Sequence, residues 1–217
     1  MAGKKETILI FCSHPDDAIL GMGGTIAKYA KQGKQIIHTV FSCDSKHQWL
    51  LKKIYKPEDI TQECVRASKA LGISKTIFFD INDIALSKEI KKPWVHEKML
   101  SLIKRYKPKQ IYTHVTGEMR FKNHRNVHDA VLQAVHTVQY TGDILLFPLW
   151  SLDFRQKPMP KLVVDISQTI GQKFSVLQHF QSQKSSLLQL APVVFCRNWK
   201  SALGTGFKYA EVFYKEQ

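Results

Sequence analysis

Cysteine is scarce in this chain of 217 residues, which contains four cysteines spread widely along the sequence. No two of them form a Cys-x-x-Cys pair. This spacing excludes the common four-thiolate zinc sites and the dense disulfide frameworks of small secreted domains. We therefore expect reduced thiols and a cytoplasmic protein.

Long apolar runs are also missing near the N-terminus. The first apolar segment covers only residues 8–12. A helix that spans a bilayer needs about 20 apolar residues, and the core of a secretory signal peptide needs about 7–15. The sequence therefore predicts neither a membrane span nor a secretory signal.

Acidic residues are few, with 18 Asp and Glu against 32 Lys and Arg, and the net charge is +14. Such a surplus occurs in proteins that bind nucleic acids, anionic membranes or phosphorylated ligands. The lysines are scattered, however, and no zinc finger or RNA-binding motif accompanies them. We interpret the charge as a solvated lysine-rich surface and expect no nucleic-acid partner. The alternative, a nucleic-acid-associated protein, predicts salt-dependent retention on DNA or RNA.

The overall composition is that of an ordinary globular protein, with 44% hydrophobic and 23% charged residues. No repeat, linker or low-complexity tract interrupts the chain, so we expect a single domain over residues 1–217. Nothing in the sequence excludes a homo-oligomer.

Apolar runs typical of buried strands alternate with apolar stripes at helical spacing. Strands are predicted over residues 8–12, 35–41, 76–79, 110–113, 143–147 and 162–164. Helices are predicted over residues 18–32, 60–71 and 94–105, around the stripe at 127–135, and over 166–188. This alternation predicts a three-layer, Rossmann-like α/β sandwich with a mostly parallel sheet. In such sheets, ligands bind beyond the carboxyl ends of the strands.

Two segments at predicted strand ends are rich in residues that bind metals. His14-Pro-Asp-Asp17 follows the first strand. His124 follows the strand that ends at residue 113 and lies at the N-terminal end of the helix predicted around residues 127–135. His14 and Asp17 are three residues apart across a turn, so both can point at one ion. Two histidines, one aspartate and an open position are typical of catalytic zinc, although iron or cobalt also accepts these ligands. The alternative is that the acids and His124 only cap helices.

Other polar and aromatic residues near strand ends have two interpretations each. We expect His128, one turn after His124, to be a satisfied core histidine. His114 is either a substrate contact or only a strand-end residue, and Asp44 either binds hydroxyl groups of a ligand or is a solvated loop acid. Trp49 either offers an aromatic platform to a ligand ring or packs beneath a loop.

The first motif, together with Leu20-Gly-Met-Gly-Gly-Thr-Ile-Ala27, resembles the opening of the LmbE-like family. This family is also called PIG-L, after the GlcNAc-phosphatidylinositol de-N-acetylase. Asn123-His-Arg-Asn-Val127, Ser182-Gln183 and Tyr209-Ala-Glu-Val-Phe213 resemble later family segments in the same order.

The resemblance implies a zinc-dependent N-deacetylase whose substrate is a small amino-sugar conjugate of the N-acetylglucosamine type. It implies one Zn²⁺ per chain, held by His14, Asp17 and His124, although another divalent metal fits the same ligands. It also implies that Asp16 is the general base that takes a proton from the attacking water.

The sequence departs from the family pattern just before His124. Many relatives carry a second histidine where this chain has Phe121, and often an acid where it has Met119. A phenyl ring neither donates a proton nor binds an oxyanion. Either another group substitutes, or Asp16 moves the proton both ways, or the protein is a weakened or inactive sugar-binding member. Hydrolysis of another small amide is also open. The candidates for substitution are His114, His128, Arg120 and Lys122, and we also interpret Arg120 as a substrate contact.

Overall fold

A central sheet of seven strands organises the chain, which is described by a computed structural model over residues 5–116, 122–149 and 159–216. The strands of this sheet are β1 (Thr7–Cys12), β2 (Gln35–Ser42), β5 (Lys75–Ile81), β6 (Gln110–His114), β7 (Asp143–Phe147), β8 (Lys161–Asp165) and β9 (Ala210–Lys215). Two further strands, β3 (Lys46–Gln48) and β4 (Lys53–Tyr55), form a separate antiparallel hairpin.

Helices cover both faces of the sheet. They are α1 (Asp17–Lys31), α2 (Pro57–Leu71), α3 (Leu86–Glu89), α4 (Pro93–Tyr106), α5 (Lys122–Thr137), α6 (Ile170–Ser175) and α7 (Lys184–Lys200). One buried cluster joins α1, α2, α6 and α7 to side chains such as Ile8 and Ile10 of β1. A second cluster joins α3, α4 and α5 to Leu9 and Phe11 of the same strand. Because successive strand residues face opposite sides, the continuous apolar run of β1 supplies both cores.

In the strand order β5-β2-β1-β6-β7-β9-β8, the topological switch point lies between β1 and β6, where the chain begins to add strands on the other side of β1. The chain builds outward from β1 through β2 to β5 and then returns to the other side of β1 as β6. The pairs among these strands and β7 are parallel, whereas β9 pairs antiparallel with both β7 and β8. The carboxyl ends of β1 and β6 therefore meet at the point where such folds bind ligands.

Helix α1 packs directly against the sheet, and its glycines permit this contact. A Cβ atom at Gly21 would collide with the ring of Phe147 in β7. The helix also departs from helical geometry at Met22, where φ is −146°. Just after this break, the buried carboxylate of Glu211 accepts the backbone N–H groups of Gly24 at 3.1 Å and Thr25 at 2.7 Å. The glycine-rich motif thus serves the packing of α1 against the sheet.

The predicted α/β architecture with a mostly parallel sheet is confirmed, and each predicted strand is present with ends within two residues of those observed. The predictions made from the sequence did not include the hairpin β3–β4, the short helix α3 or strand β9. Among the described residues, no helix combines the length and the apolar character needed to cross a bilayer.

The single helix predicted over residues 166–188 is wrong. The chain forms α6, leaves helical geometry at Phe180 (φ −93°, ψ 70°), and starts α7 at Lys184. In the interruption, Ser182 donates its backbone N–H and its hydroxyl to the buried carboxylate of Glu63, the latter at 2.6 Å. A buried carboxylate needs such donors, and a continuous helix would hold the Ser182 N–H in its own ladder.

Candidate metal centre

Two loops that are remote in sequence meet at the carboxyl edge of β1 and β6. His14 and Asp16 lie in the turn that follows β1, and Asp17 is the first residue of α1. The backbone N–H of His14 donates to the Asp17 carboxylate at 2.7 Å, which closes this turn. His124 lies in the first turn of α5, as predicted, and is 3% exposed.

The side chains of His14, Asp17 and His124 point at one small region. His124 Nε2 lies 3.3 Å from His14 Nδ1 and 3.7 Å from Asp17 Oδ1, and His14 Nδ1 lies 3.5 Å from Asp17 Oδ2. Ligands about 2.0–2.1 Å from a tetrahedral zinc ion are about 3.3–3.4 Å apart. With one donor atom taken from each residue, all three atoms lie within 4.8 Å of one another, so these side chains could hold a metal ion of this size.

Asp83, in the loop after β5, orients His14. Its Oδ1 accepts a hydrogen bond from His14 Nε2 at 2.8 Å, and it also accepts from Ser42 Oγ and Asn123 Nδ2. A proton held on Nε2 leaves the lone pair of Nδ1 facing Asp17 and His124. A carboxylate behind a histidine ligand is the usual support of metal-binding imidazoles.

The electrostatics of the centre keep its parts in different protonation states. Burial opposes protonation of His14, but the carboxylates of Asp17 and Asp83 outweigh it and raise the pKa of His14 to about 10. Burial and the adjacent His114 lower the pKa of His124 to about 3. Burial would raise the pKa of Asp17, yet the imidazoles around it, first His124, hold it well below the usual value. The carboxylates of Asp17 and Asp83 thus favour positive charge at the centre, either as a proton on His14 or as a bound cation.

Asp16 lies beside the three donors without joining them. It is 8% exposed and lines the pocket that contains the centre. Burial, followed by repulsion from Asp17, raises the pKa of Asp16, while the ammonium of Lys46 and the ring of His14 oppose that rise. A carboxyl group with a raised pKa beside a cation site is suited to exchange protons.

His114 forms a floor beneath the centre and is only 1% exposed. Its ring stacks on that of His124 with centroids 4.2 Å apart, and its Nε2 accepts the backbone N–H of Ser13 at 2.9 Å. This burial favours the strand-end interpretation over the substrate contact. His128 is also buried, and its Nδ1–H donates to the backbone carbonyl of His114 at 2.8 Å, as expected of a satisfied core histidine.

The pocket above the centre is open to solvent and carries further polar groups. Asp44 lines it, and its carboxylate accepts the backbone N–H of Asp83 at 2.6 Å, so this acid supports the Asp83 loop. Lys46 and Lys122 also line the pocket. Arg120, which was predicted to contact substrate, lies outside the described residues, as do Phe121 and Met119.

Sequence reasoning missed Asp83 and Lys46. The predicted strand stopped at residue 79, whereas β5 continues to Ile81. With the correct end, Asp83 is an acid just beyond a parallel strand, and the rule that pointed to His14 points to it as well. Lys46 gave no comparable signal, because it belongs to a hairpin that the apolar pattern did not reveal.

Comparison with known proteins adds a family and a fold. The family model PIG-L, described as GlcNAc-PI de-N-acetylase, matches residues 9–135, which is more than half of the chain. The match spans His14, Asp17 and His124.

Several solved structures share the fold at low sequence identity. N,N'-diacetylchitobiose deacetylase from Pyrococcus horikoshii is 18% identical with a TM-score of 0.80, over 97% of this chain and 84% of that one. GalB, the 4-carboxy-2-hydroxymuconate hydratase from Pseudomonas putida, is 18% identical with a TM-score of 0.77, over 98% of this chain and 96% of the hydratase chain. A zinc-inhibited form of teicoplanin deacetylase is 16% identical with a TM-score of 0.74, over 96% of this chain and 97% of the deacetylase chain.

Proposed function

Because the chain belongs to the PIG-L (GlcNAc-PI de-N-acetylase) family, we propose that it is a metal-dependent N-deacetylase, folded as a single domain, of an N-acetylglucosamine-type conjugate. The observation that carries the proposal is the convergence of His14, Asp17 and His124, with donor atoms 3.3–3.7 Å apart, beside the separate carboxyl group of Asp16. Two of the structural neighbours named above are deacetylases, which agrees with this chemistry.

His14 Nδ1, a carboxylate oxygen of Asp17 and His124 Nε2 would hold the metal, and we propose zinc, one ion per chain. When bound, such an ion supplies Lewis-acid polarisation of the amide carbonyl and lowers the pKa of water. Asp83 keeps the Nε2 proton of His14 in place, so that the ring, once neutral, presents the lone pair of Nδ1 to the site. The stacked ring of His114 fixes the plane of His124.

Asp16 is the proposed general base. Its carboxylate removes a proton from the water that attacks the amide carbon, and its raised pKa makes the protonated form a competent donor afterwards. The leaving amine must gain that proton as the carbon–nitrogen bond breaks. His114 and His128 are buried and hydrogen-bonded below the centre, which makes them poor substitutes for the histidine that relatives carry at position 121.

Two lysine ammonium groups in the pocket could take over the role of the histidine that is missing at position 121. Lys46 and Lys122 both line the cavity, and Lys46 acts electrostatically on Asp16. A cation at this place can stabilise the negative charge that develops on the carbonyl oxygen. We propose that these lysines compensate for Phe121, and that Asp16 returns the proton.

An acetate-release assay on a panel of N-acetylated amino sugars and their conjugates tests the function. We expect release from at least one member of the panel by the metal-loaded protein and loss of release after chelation. The hydratase among the structural neighbours shows that this fold also supports another reaction. A protein that binds these sugars without releasing acetate would contradict the proposal and favour an inactive sugar-binding member. Repeating the assay with zinc, iron and cobalt identifies the metal, since the same ligands accept all three.

Asp83→Asn is expected to weaken metal binding by about tenfold, because an amide is a poorer acceptor for the Nε2 proton of His14 than a carboxylate. Titration against a chromophoric chelator measures the affinity. Asp80→Asn, an exposed acid three positions earlier, is the matched control and should bind metal as the unmodified chain does. Equal affinities of the two variants would remove Asp83 from the support of the centre.

Metal binding at pH 6.0 is expected to release about one proton per ion. In the metal-free protein, His14 is protonated because its pKa is about 10, whereas His124, with a pKa of about 3, is already neutral. Ligation requires a neutral imidazole, so the proton on His14 must leave, and the affinity rises with pH. Calorimetric titrations in two buffers with different heats of ionisation count the protons. A count of zero would show that His14 is not protonated before it binds metal.

A further inference from the structure

The hairpin β3–β4 ends in an exposed apolar tip. The side chains of Trp49, Leu50, Leu51 and Ile54 are 62%, 42%, 39% and 67% exposed. The backbone N–H of Lys52 donates to the carbonyl of Trp49 at 3.3 Å, so the two leucines occupy the central positions of a turn. Turns normally carry Gly, Asn, Asp or Pro at such positions. Exposed leucines there bring no benefit to the turn itself.

The base of the hairpin, by contrast, is anchored in the protein. Gln48 is 1% exposed, and its side-chain oxygen accepts the backbone N–H of Leu50 at 3.1 Å. Tyr55 is 7% exposed and packs with Ile60 of α2. Lys46 also bonds to the side chain of Gln183 before α7. The base of the hairpin is therefore fixed to the protein, and it holds the tip out in solvent.

The charge around the tip has one sign. Residues 45–57 contain the four lysines Lys46, Lys52, Lys53 and Lys56 and no acidic residue. The side chains of Lys52 and Lys53 are exposed, and both stand next to the apolar tip. Apolar side chains with an aromatic residue, ringed by lysines, are the composition with which proteins enter the interface of an anionic bilayer.

We propose that the β3–β4 tip docks this protein on the surface of an anionic lipid bilayer. Trp49, Leu50 and Leu51 enter the boundary between headgroups and acyl chains, while Lys52 and Lys53 contact lipid phosphates. The net charge of +14, which no nucleic-acid motif explains, has the sign that this surface attracts. An acidic protein partner would need a matching pocket for the protruding apolar turn, whereas the lipid interface accepts such side chains without one.

The hairpin that carries the tip adjoins the pocket of the metal centre. Ser45 and Lys46, which open the hairpin, line the pocket of the metal centre, and so does Ile84, which is 92% exposed. The pocket of the metal centre therefore lies at the base of the hairpin whose tip contacts the lipid. The proposal goes beyond the deacetylase function and does not depend on it.

Co-sedimentation of the whole chain with vesicles tests the proposal without any substrate. The probes are vesicles of phosphatidylcholine alone and vesicles with 30% phosphatidylserine. We expect binding to the anionic vesicles that weakens as salt is added. Trp49→Ser with Leu50→Ser and Leu51→Ser should reduce it by about 100-fold. Lys52→Gln with Lys53→Gln should reduce it by about tenfold or more.

A matched control removes exposed apolar groups elsewhere. Trp199→Ser with Leu203→Ser changes side chains that are 54% and 59% exposed in and just after α7, and this variant should bind vesicles as the unmodified chain does. Thermal melts confirm that each variant is folded. The proposal fails if the unmodified chain ignores anionic vesicles, or if the tip variant binds as well as the control. It also fails if sedimentation velocity shows that the unmodified chain is a dimer and the tip variant a monomer, because the tip then binds a second copy of the chain.

Discussion

Asp16→Asn is expected to retain its metal while turnover falls by about 10²–10⁴-fold, the usual contribution of a general base. Asp16 lies in the pocket beside the three metal-binding donors, and the described contacts give it no part in holding them. An amide of nearly the same shape keeps the packing of the turn after β1 but cannot accept a proton. The measurements are metal content by atomic absorption and acetate release under saturating substrate.

The control for this variant is Asp80→Asn, which changes an exposed acid at the same edge of the sheet. It should keep both metal and turnover. Because metal content and turnover are measured on the same sample, loss of the metal site can be distinguished from loss of the base. An Asp16→Asn protein with full metal and full turnover would refute the role of this carboxylate.

His124→Ala is expected to lose at least about 100-fold in metal affinity and with it all measurable turnover, since removing a ligand costs more than removing its support. His124 Nε2 lies 3.3 Å and 3.7 Å from the donor atoms of His14 and Asp17. Without this nitrogen, only two ligands remain, both from one short turn. His114 Nε2 lies 3.3 Å from Asp17 Oδ2, but it already accepts the backbone N–H of Ser13 and so has no lone pair left for a metal ion.

His136→Ala is the matched control, since His136 lies in the same helix but is exposed. It shows whether replacing a histidine of α5 that lies away from the centre also changes the metal content. Unaltered metal affinity in His124→Ala would exclude His124 as a ligand, and the proposed hydrolase mechanism would lose its basis. A thermal melt in the presence of chelator shows whether the metal-free variant is folded, and we expect a lower melting temperature because Ala leaves a cavity where the buried His124 ring stacks on His114.

The successes and failures of prediction along the chain have a common cause. Residues 8–12 and 143–147 were predicted as strands because they are apolar on both faces, and burial on both faces is a local pattern. The helix predicted over 166–188 failed because Ser182 is diverted by Glu63, which lies 119 residues away. The hairpin β3–β4 was missed because its apolar residues face solvent at the tip instead of alternating into a core.

The amino-acid sequence by itself determined the layered α/β fold, the placement of His14 and Asp17 after the first strand, and the placement of His124 at the start of a helix. Each of these follows from local apolar periodicity and from the rule that parallel strands end at one edge. Only the tertiary structure decided that the two histidines and the aspartate lie 3.3–3.7 Å apart, that Asp83 supports His14, and that His114 is buried beneath them. These distances depend on how β1, β5 and β6 are ordered in the sheet, and pairing between remote strands leaves no local mark in the sequence.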